Sequence, residues 1–256
     1  MREWKVDIQR KLTRESFDLL AENRIPLLRI ENFATRSECE KLVEEASALG
    51  FGDYRDVEPK IGRIGSTVFE YDRLSKAAYF ADIEKAIQLR DGMFRRSFDP
   101  LRRMIELIET NTGYPAGIAE EPDGSVYYAG LIRRIERGTL LHIDYAPAEQ
   151  TGWQICQIEQ QLSWNLYLKV DDERGGTTTI YRRQWRRGDD DLRQGGYGFH
   201  PTVVHRAQRA DFRPVVGDAV LFNTRNYHIV AESVGQRVTV TSAIGIMPDK
   251  RVLLWS

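Results

Sequence analysis

Cysteine is scarce in this chain: Cys39 and Cys156 are the only two in 256 residues. So few thiols, so far apart, exclude a disulfide framework and suit a reducing cytosol, with both read as packed thiols. Apolar runs are short, and none approaches the ~18 residues that would cross a bilayer. The opening MREWKVDIQRK is charged throughout and lacks the apolar stretch of a secretory signal. Charge of one sign is also missing: 37 basic residues face 38 acidic ones, for a net charge of −1. Such a balance gives no global field to attract nucleic acid or an anionic membrane, which leaves small molecules as the expected partners. No linker rich in Pro, Gly or Ser divides the chain, and no repeat or low-complexity stretch interrupts it. One domain over 1–256 is therefore expected, as a monomer or homodimer. Glycine-rich phosphate loops and βαβ alternation are absent too, which argues against a dinucleotide-binding fold.

What is present changes in texture along the chain. The part from 1 to 123 reads as mainly helical. TRESFDLLAENR carries an apolar stripe of Phe17, Leu20 and Ala21, although Ser16 stands where a capping box wants Glu, so its cap is expected to be imperfect. Pro26 closes that helix, and PLLRIENF alternates as a short strand. TRSECEKLVEEASALG has the full capping box of Thr35 and Glu38, with Gly50 at the C-terminal cap. A strand-and-loop segment, FGDYRDVEPKIGRIGSTVFEYDRL, offers Arg63 and Arg73 as carboxylate binders. Residues 75–112 return to helical periodicity and act as a buttress.

The part from 124 to 256 is a series of short β segments: SVYYAGLIRRIE, TLLHIDYA, QLSWNLYLKV, GTTTIYRRQW, DAVLFNT, HIVAESV and RVTVTSAIGIM. Regular spacing with turn residues between them suggests a barrel or a double-sheet jelly roll, so the class is α+β, mainly β. In an extended segment residues i and i+2 share a face, so His142 and Asp144 point into one cavity while Ile143 turns away. His228 opens another segment after a turn. Two histidines and one carboxylate can occupy one face of an octahedral Fe(II) and leave the other open. Arg237 and Thr239 follow on one face of the next strand, where the guanidinium suits a carboxylate. Only four histidines exist; His205 is the competitor for the third ligand, and His200 reads as a loop residue before Pro201.

HID, the distal His228, Arg237 with Thr239 and the PVVGDAVLF turn together resemble the Fe(II)/2-oxoglutarate-dependent oxygenases, which are built on a double-stranded β-helix of the jelly-roll or cupin-like kind. IGRIGSTVFEYDR, LSWNLYLKV, TTTIYRRQW and the final LLWS are similar to the subgroup that hydroxylates or halogenates free amino acids. The resemblance implies metal ligation by His142, Asp144 and His228. It implies 2-oxoglutarate as cosubstrate, held by Arg237 with Thr239, and O2 as the second cosubstrate. Substrate binding is implied for Arg73, with Trp255 closing the pocket and Tyr145 beside the motif arguing against a cationic substrate side chain. Halogenases of that subgroup lack the carboxylate that Asp144 supplies. The reaction implied is therefore hydroxylation, desaturation or ring closure of a free amino acid or derivative, with succinate and CO2 as coproducts.

Two other classes fit parts of the chain. Arginines interleave with aromatics in YRRQWRR and FRRSF, as in nucleic-acid binders, but Asp189, Asp190 and Asp191 follow at once. A cupin-like metalloprotein that does not use 2-oxoglutarate is the other alternative, and Arg237 separates it from the oxygenase.

Overall fold

The computed structural model describes residue 4 and residues 11–55, 57–71, 75–171 and 175–256. From the N-terminus run α1 (Arg14–Ala21), β1 (Leu27–Ile30), α2 (Arg36–Leu49), β2 (Gly52–Asp53), β3 (Ile61–Ile64), α3 (Lys76–Arg96), α4 (Pro100–Thr112) and β4 (Ala116–Ile118). Helix starts follow local chemistry. Thr35 accepts from the Glu38 amide while Glu38 accepts the Thr35 amide at 2.8 Å, and Gly50 ends α2 at φ +80°. At α1 the expected imperfect cap is corrected. The Ser16 hydroxyl accepts the Thr13 amide at 2.9 Å and thereby completes a capping box without a carboxylate.

The remainder is β5 (Leu131–Ile135), the short helix α5 (Ala146–Glu149), β6 (Gln160–Val170), β7 (Thr178–Gln184), β8 (Arg193–Gln194), β9 (Gly198–Phe199), β10 (Arg209–Phe212), β11 (Ala219–Asn223), β12 (Asn226–Val230), β13 (Arg237–Ile246) and β14 (Val252–Trp255). Two sheets result. The major one runs β1-β11-β6-β13-β5-β3-β2, with β14 on β13 and β4 on β14; the minor one runs β10-β7-β12. The expected jelly roll is present. Its N-terminal part does more than buttress, since β1, β2, β3 and β4 all pair into the major sheet. TLLHIDYA is not a regular strand. It makes one antiparallel bridge, His142 to His228, and then the Asp144 amide donates to the Thr224 carbonyl before α5 starts at Ala146.

The two faces of the major sheet differ in kind. Leu162, Trp164, Leu166 and Leu168 of β6 and Val238, Val240 and Ile244 of β13 join Leu42, Ala46, Met93 and Met104 of the helices in one buried apolar cluster. The alternate positions, Ser163, Asn165, Arg237, Thr239 and Thr241, are polar and buried. Buried polar groups need partners or a ligand, so the period-2 pattern assigns one face to the core and the other to chemistry.

Candidate active site

His142 and His228 face each other across that single bridge. Each backbone amide donates to the other's carbonyl, at 3.0 and 2.9 Å, and their ring centroids lie 4.1 Å apart. In both rings Nδ1 meets a backbone carbonyl two residues back, Leu140 at 2.8 Å and Asn226 at 2.9 Å. A carbonyl only accepts, so Nδ1 must carry the proton and Nε2 keeps its lone pair for a metal. Asp144 Oδ2 lies 3.5 Å from His228 Nε2, and one donor atom from each of the three residues falls within 4.8 Å of the others. Among the described residues this is the one group of His, Cys, Asp and Glu side chains so gathered. Two imidazoles and a carboxylate around open space match the donor set of a facial Fe(II) site, so the residues fit the metal.

Electrostatics prepare these donors. Burial, reinforced by the neighbouring His228, pushes His142 down to about 4, so it is neutral and ready to ligate near pH 7. Burial works against ionised Asp144, but the close approach of the His228 ring and the positive charge of Arg133 outweigh it. Its carboxyl is held well below the usual range. The Asp144 side chain keeps 47 % of its surface open to the cavity. His205 is exposed at the end of a 3₁₀ turn, and His200 is exposed with Nδ1 2.9 Å from the Thr202 hydroxyl, so neither reaches the cluster.

The cluster opens on two connected spaces. A wide cavity, about 1040 Å³ including its open mouth, is lined by His142 and Asp144 together with Tyr54, Phe69, Gln150 and Trp255. A smaller inner pocket joins all three donors to Arg237, Tyr167 and Thr178. Arg237 is 3 % exposed, its Nε has no partner, and its Nη2 reaches the Tyr167 hydroxyl only at 3.4 Å. Burial lowers its pKa, and the positive charge of Arg133 adds to that. A buried guanidinium whose Nε has no partner, beside three candidate metal donors, is chemically suited to an anion.

Other expected residues fall variously. Thr239 is fully buried on the same strand as Arg237, its hydroxyl unpartnered, but it lies beneath the pocket rather than on its lining. Trp255 is buried and lines the wide cavity. Arg73 lies outside the described residues. Arg63 is corrected: it pairs with Glu70 at 2.6 Å and donates to the Gly65 carbonyl, so its charge is already spent. Tyr145 stands to one side of the cluster. Its ring lies under Arg225 at 4.9 Å and beside Trp185, off the cavity lining, because the chain turns into α5 immediately after it. Arg133 was missed. It lines both spaces, and the only signal was its place between Leu131 and Ile135 on the inward side of β5.

Residues 7–256 match the model of the family described as carrier-protein-independent halogenase WelO5. The chain belongs to that family. It is 36 % identical to leucinostatins biosynthesis cluster protein S of Purpureocillium lilacinum, over 78 % of this chain and 87 % of that protein. It is 29 % identical to the L-γ-glutamyl-L-propargylglycine hydroxylase of Streptantibioticus cattleyicolor, over 95 % and 93 %. In structure it resembles an N-substituted L-amino acid dioxygenase of Burkholderia ambifaria solved with α-ketoglutarate. That likeness has a TM-score of 0.64 at 16 % identity and covers 94 % of this chain and 90 % of the other. Family, fold and donor set together make the chain a non-haem Fe(II)- and 2-oxoglutarate-dependent oxygenase, as the resemblance implied.

Proposed function

We propose that this chain hydroxylates an unactivated C–H bond of a small amino acid or amino-acid derivative. Fe(II) would be held by His142, Asp144 and His228, and the far carboxylate of 2-oxoglutarate by Arg237. The observation that carries the reading is the buried Arg237 guanidinium, its Nε unpartnered, sharing one pocket with the three donors. When bound, iron supplies O2 activation coupled to decarboxylation of the oxo acid.

The residues divide the remaining work. The Leu140 and Asn226 carbonyls fix the tautomer of each histidine and point Nε2 inward. Arg237, tethered only by the long contact to Tyr167, can turn its fork to a carboxylate. Trp255, packed among Tyr71, Tyr79 and Trp153 and reaching the wide cavity, would close the wall over the substrate. Arg73 would hold the substrate carboxylate. The family takes its name from a halogenase, but here Asp144 supplies the third donor, which favours oxygen transfer over halide transfer.

The relatives favour amino-acid chemistry, since one acts on a γ-glutamyl dipeptide and a structural neighbour on N-substituted amino acids. A reducing cytosol suits Cys39 and Cys156, both free, and among the described residues no helix is long and apolar enough to cross a membrane. The test is anaerobic addition of 2-oxoglutarate to the Fe(II) protein. A visible charge-transfer band is expected from the wild type and not from Arg237→Ala at the same concentration. Succinate release is then followed across free and N-acylated amino acids. An unchanged 2-oxoglutarate affinity in Arg237→Ala would leave the cupin-like alternative standing instead.

A further inference from the structure

We propose that Arg133 is a second anion clamp of this site, holding the carboxylate beside the keto group of the 2-oxo acid while Arg237 holds the far one. The proposal rests on the cosubstrate reading above. In the ladder between β5 and β13, Arg133 lies opposite Thr239 and Arg237 lies opposite Ile135. The two arginines are therefore diagonal neighbours on the inner face, with Cα atoms about 7–8 Å apart. Arg237 is confined to the inner pocket, whereas Arg133 lines that pocket and the wide cavity alike, at their junction beside His142 and Asp144.

The donors of Arg133 are only partly used. Its Nη2 lies 3.1 Å from Asn165 Oδ1 and 3.4 Å from the Thr241 hydroxyl. These neutral partners aim the guanidinium without neutralising it. Its Nε is buried and unpartnered, as is that of Arg237. Two cations held close and short of hydrogen bonds are an unfavourable arrangement unless an anion joins them. Among the residues lining the inner pocket the only carboxylate is Asp144, which the metal claims. Arg133, Arg237 and Asp144 leave that pocket with a net charge of +1, and a divalent metal raises it to +3. A dianion with a carboxylate at each end returns it to +1 and gives each guanidinium a partner. A monocarboxylic oxo acid leaves one guanidinium unfilled, so the pair selects a diacid by the penalty of an unpaired buried charge.

Two acids separate the two ends: 2-oxoglutarate, and 2-oxovalerate, which keeps the keto acid and lacks the far carboxylate. Their dissociation constants are measured by anaerobic calorimetry on Fe(II)-loaded protein. Arg133→Gln is expected to weaken both acids alike, on the order of 10- to 100-fold, the usual worth of a charged hydrogen bond. Arg237→Gln is expected to weaken 2-oxoglutarate by a similar factor and to leave 2-oxovalerate nearly unchanged. Arg133→Lys should restore part of the loss, and it carries the comparison if the Gln variant fails to fold. Iron affinity, from competition with a chelator, should be the same in every variant.

An Arg133→Gln protein that loses 2-oxoglutarate but keeps 2-oxovalerate overturns the assignment, as does one in which neither acid changes. Loss of iron with unchanged oxo-acid affinity at saturating metal would instead make Arg133 a support for Asp144, which also overturns it. Wild-type protein that binds iron and neither acid overturns the cosubstrate reading itself, and this proposal falls with it.

Discussion

At the scale of single residues, the site depends on what each donor is prevented from doing. His142 and His228 each spend Nδ1 on a carbonyl, so neither ring can present the wrong nitrogen. Asp144 is the exposed member, and its contact with His228 is a 3.5 Å approach rather than a tight hydrogen bond, which leaves it free to ligate. Asp144→Gly removes one donor and one negative charge and opens a place for a halide ion. Iron affinity should fall on the order of 10- to 100-fold or more, since even changes outside the donor set reach that range. Hydroxylated product should drop, and chlorinated product should form only when chloride is present. Chelator competition and product mass spectra with and without chloride check both parts. These donors were legible because histidine is rare here and HID puts two of them in step on one face. Arg133 was not, because an arginine in LIRRIE reads the same whether it faces solvent or a pocket, and only the sheet's register decides. Tyr145 shows a related effect: adjacency to the motif implies adjacency in space only while the strand continues, and here α5 begins at Ala146.

At the scale of elements, α2 and α4 are joined by an ion pair with consequences for pH. Glu38 both caps α2 and pairs with Arg103 of α4 at 2.6 Å, and the Arg103 guanidinium also reaches the Phe33 carbonyl at 2.9 Å. The Arg103 hydrogen bond, outweighing burial, holds the Glu38 carboxyl down at about 2 against an ordinary 4.5. A depressed carboxylate stabilises the fold above its unfolded pKa and loses that contribution as pH falls toward the folded value. The window is thus from about 4.5 down to about 2. Glu38→Gln keeps the capping geometry and removes the charge. Because both side chains are partly solvated, about 1 kcal/mol is expected near pH 7. Melting temperatures of the two proteins should therefore differ at pH 7 and converge as the pH is lowered below 4. A constant difference across that range would mean that the cap, not the ion pair, is what the variant loses. The helix itself was readable from Thr35, Glu38 and Gly50, whereas its partner across 65 residues was not, since nothing local names Arg103 as the neighbour of Glu38.

At the scale of the whole molecule, the cluster of His142, Asp144 and His228 is a joint between sheets. His228 belongs to the minor sheet, Arg237 to the major one, and His142 with Asp144 to the connection between β5 and β6, whose Thr139, His142 and Asp144 amides donate to the carbonyls of Val230, His228 and Thr224. Jelly-roll architecture was readable from the series of short strands, but the pairing was not. β14 parallel to β4, or β1 at the sheet's edge against β11, depends on contacts between residues far apart in the chain. Such a joint makes stability sensitive to ligand, because a divalent ion that binds only the assembled cluster shifts unfolding by mass action. At a free metal concentration of about 100 times its dissociation constant the gain is about 2.7 kcal/mol. For a chain of this size that corresponds to roughly 5–10 °C in melting temperature. Mn(II), which does not turn over with O2, should raise the melting temperature of the chelator-treated protein by that amount, and 2-oxoglutarate should raise it further only when the metal is present. His228→Ala should abolish both increments, measured against that variant's own metal-free melting temperature, which falls because the buried ring packs on Phe222 and His142. A metal-dependent rise that survives His228→Ala would place the ion elsewhere on the molecule.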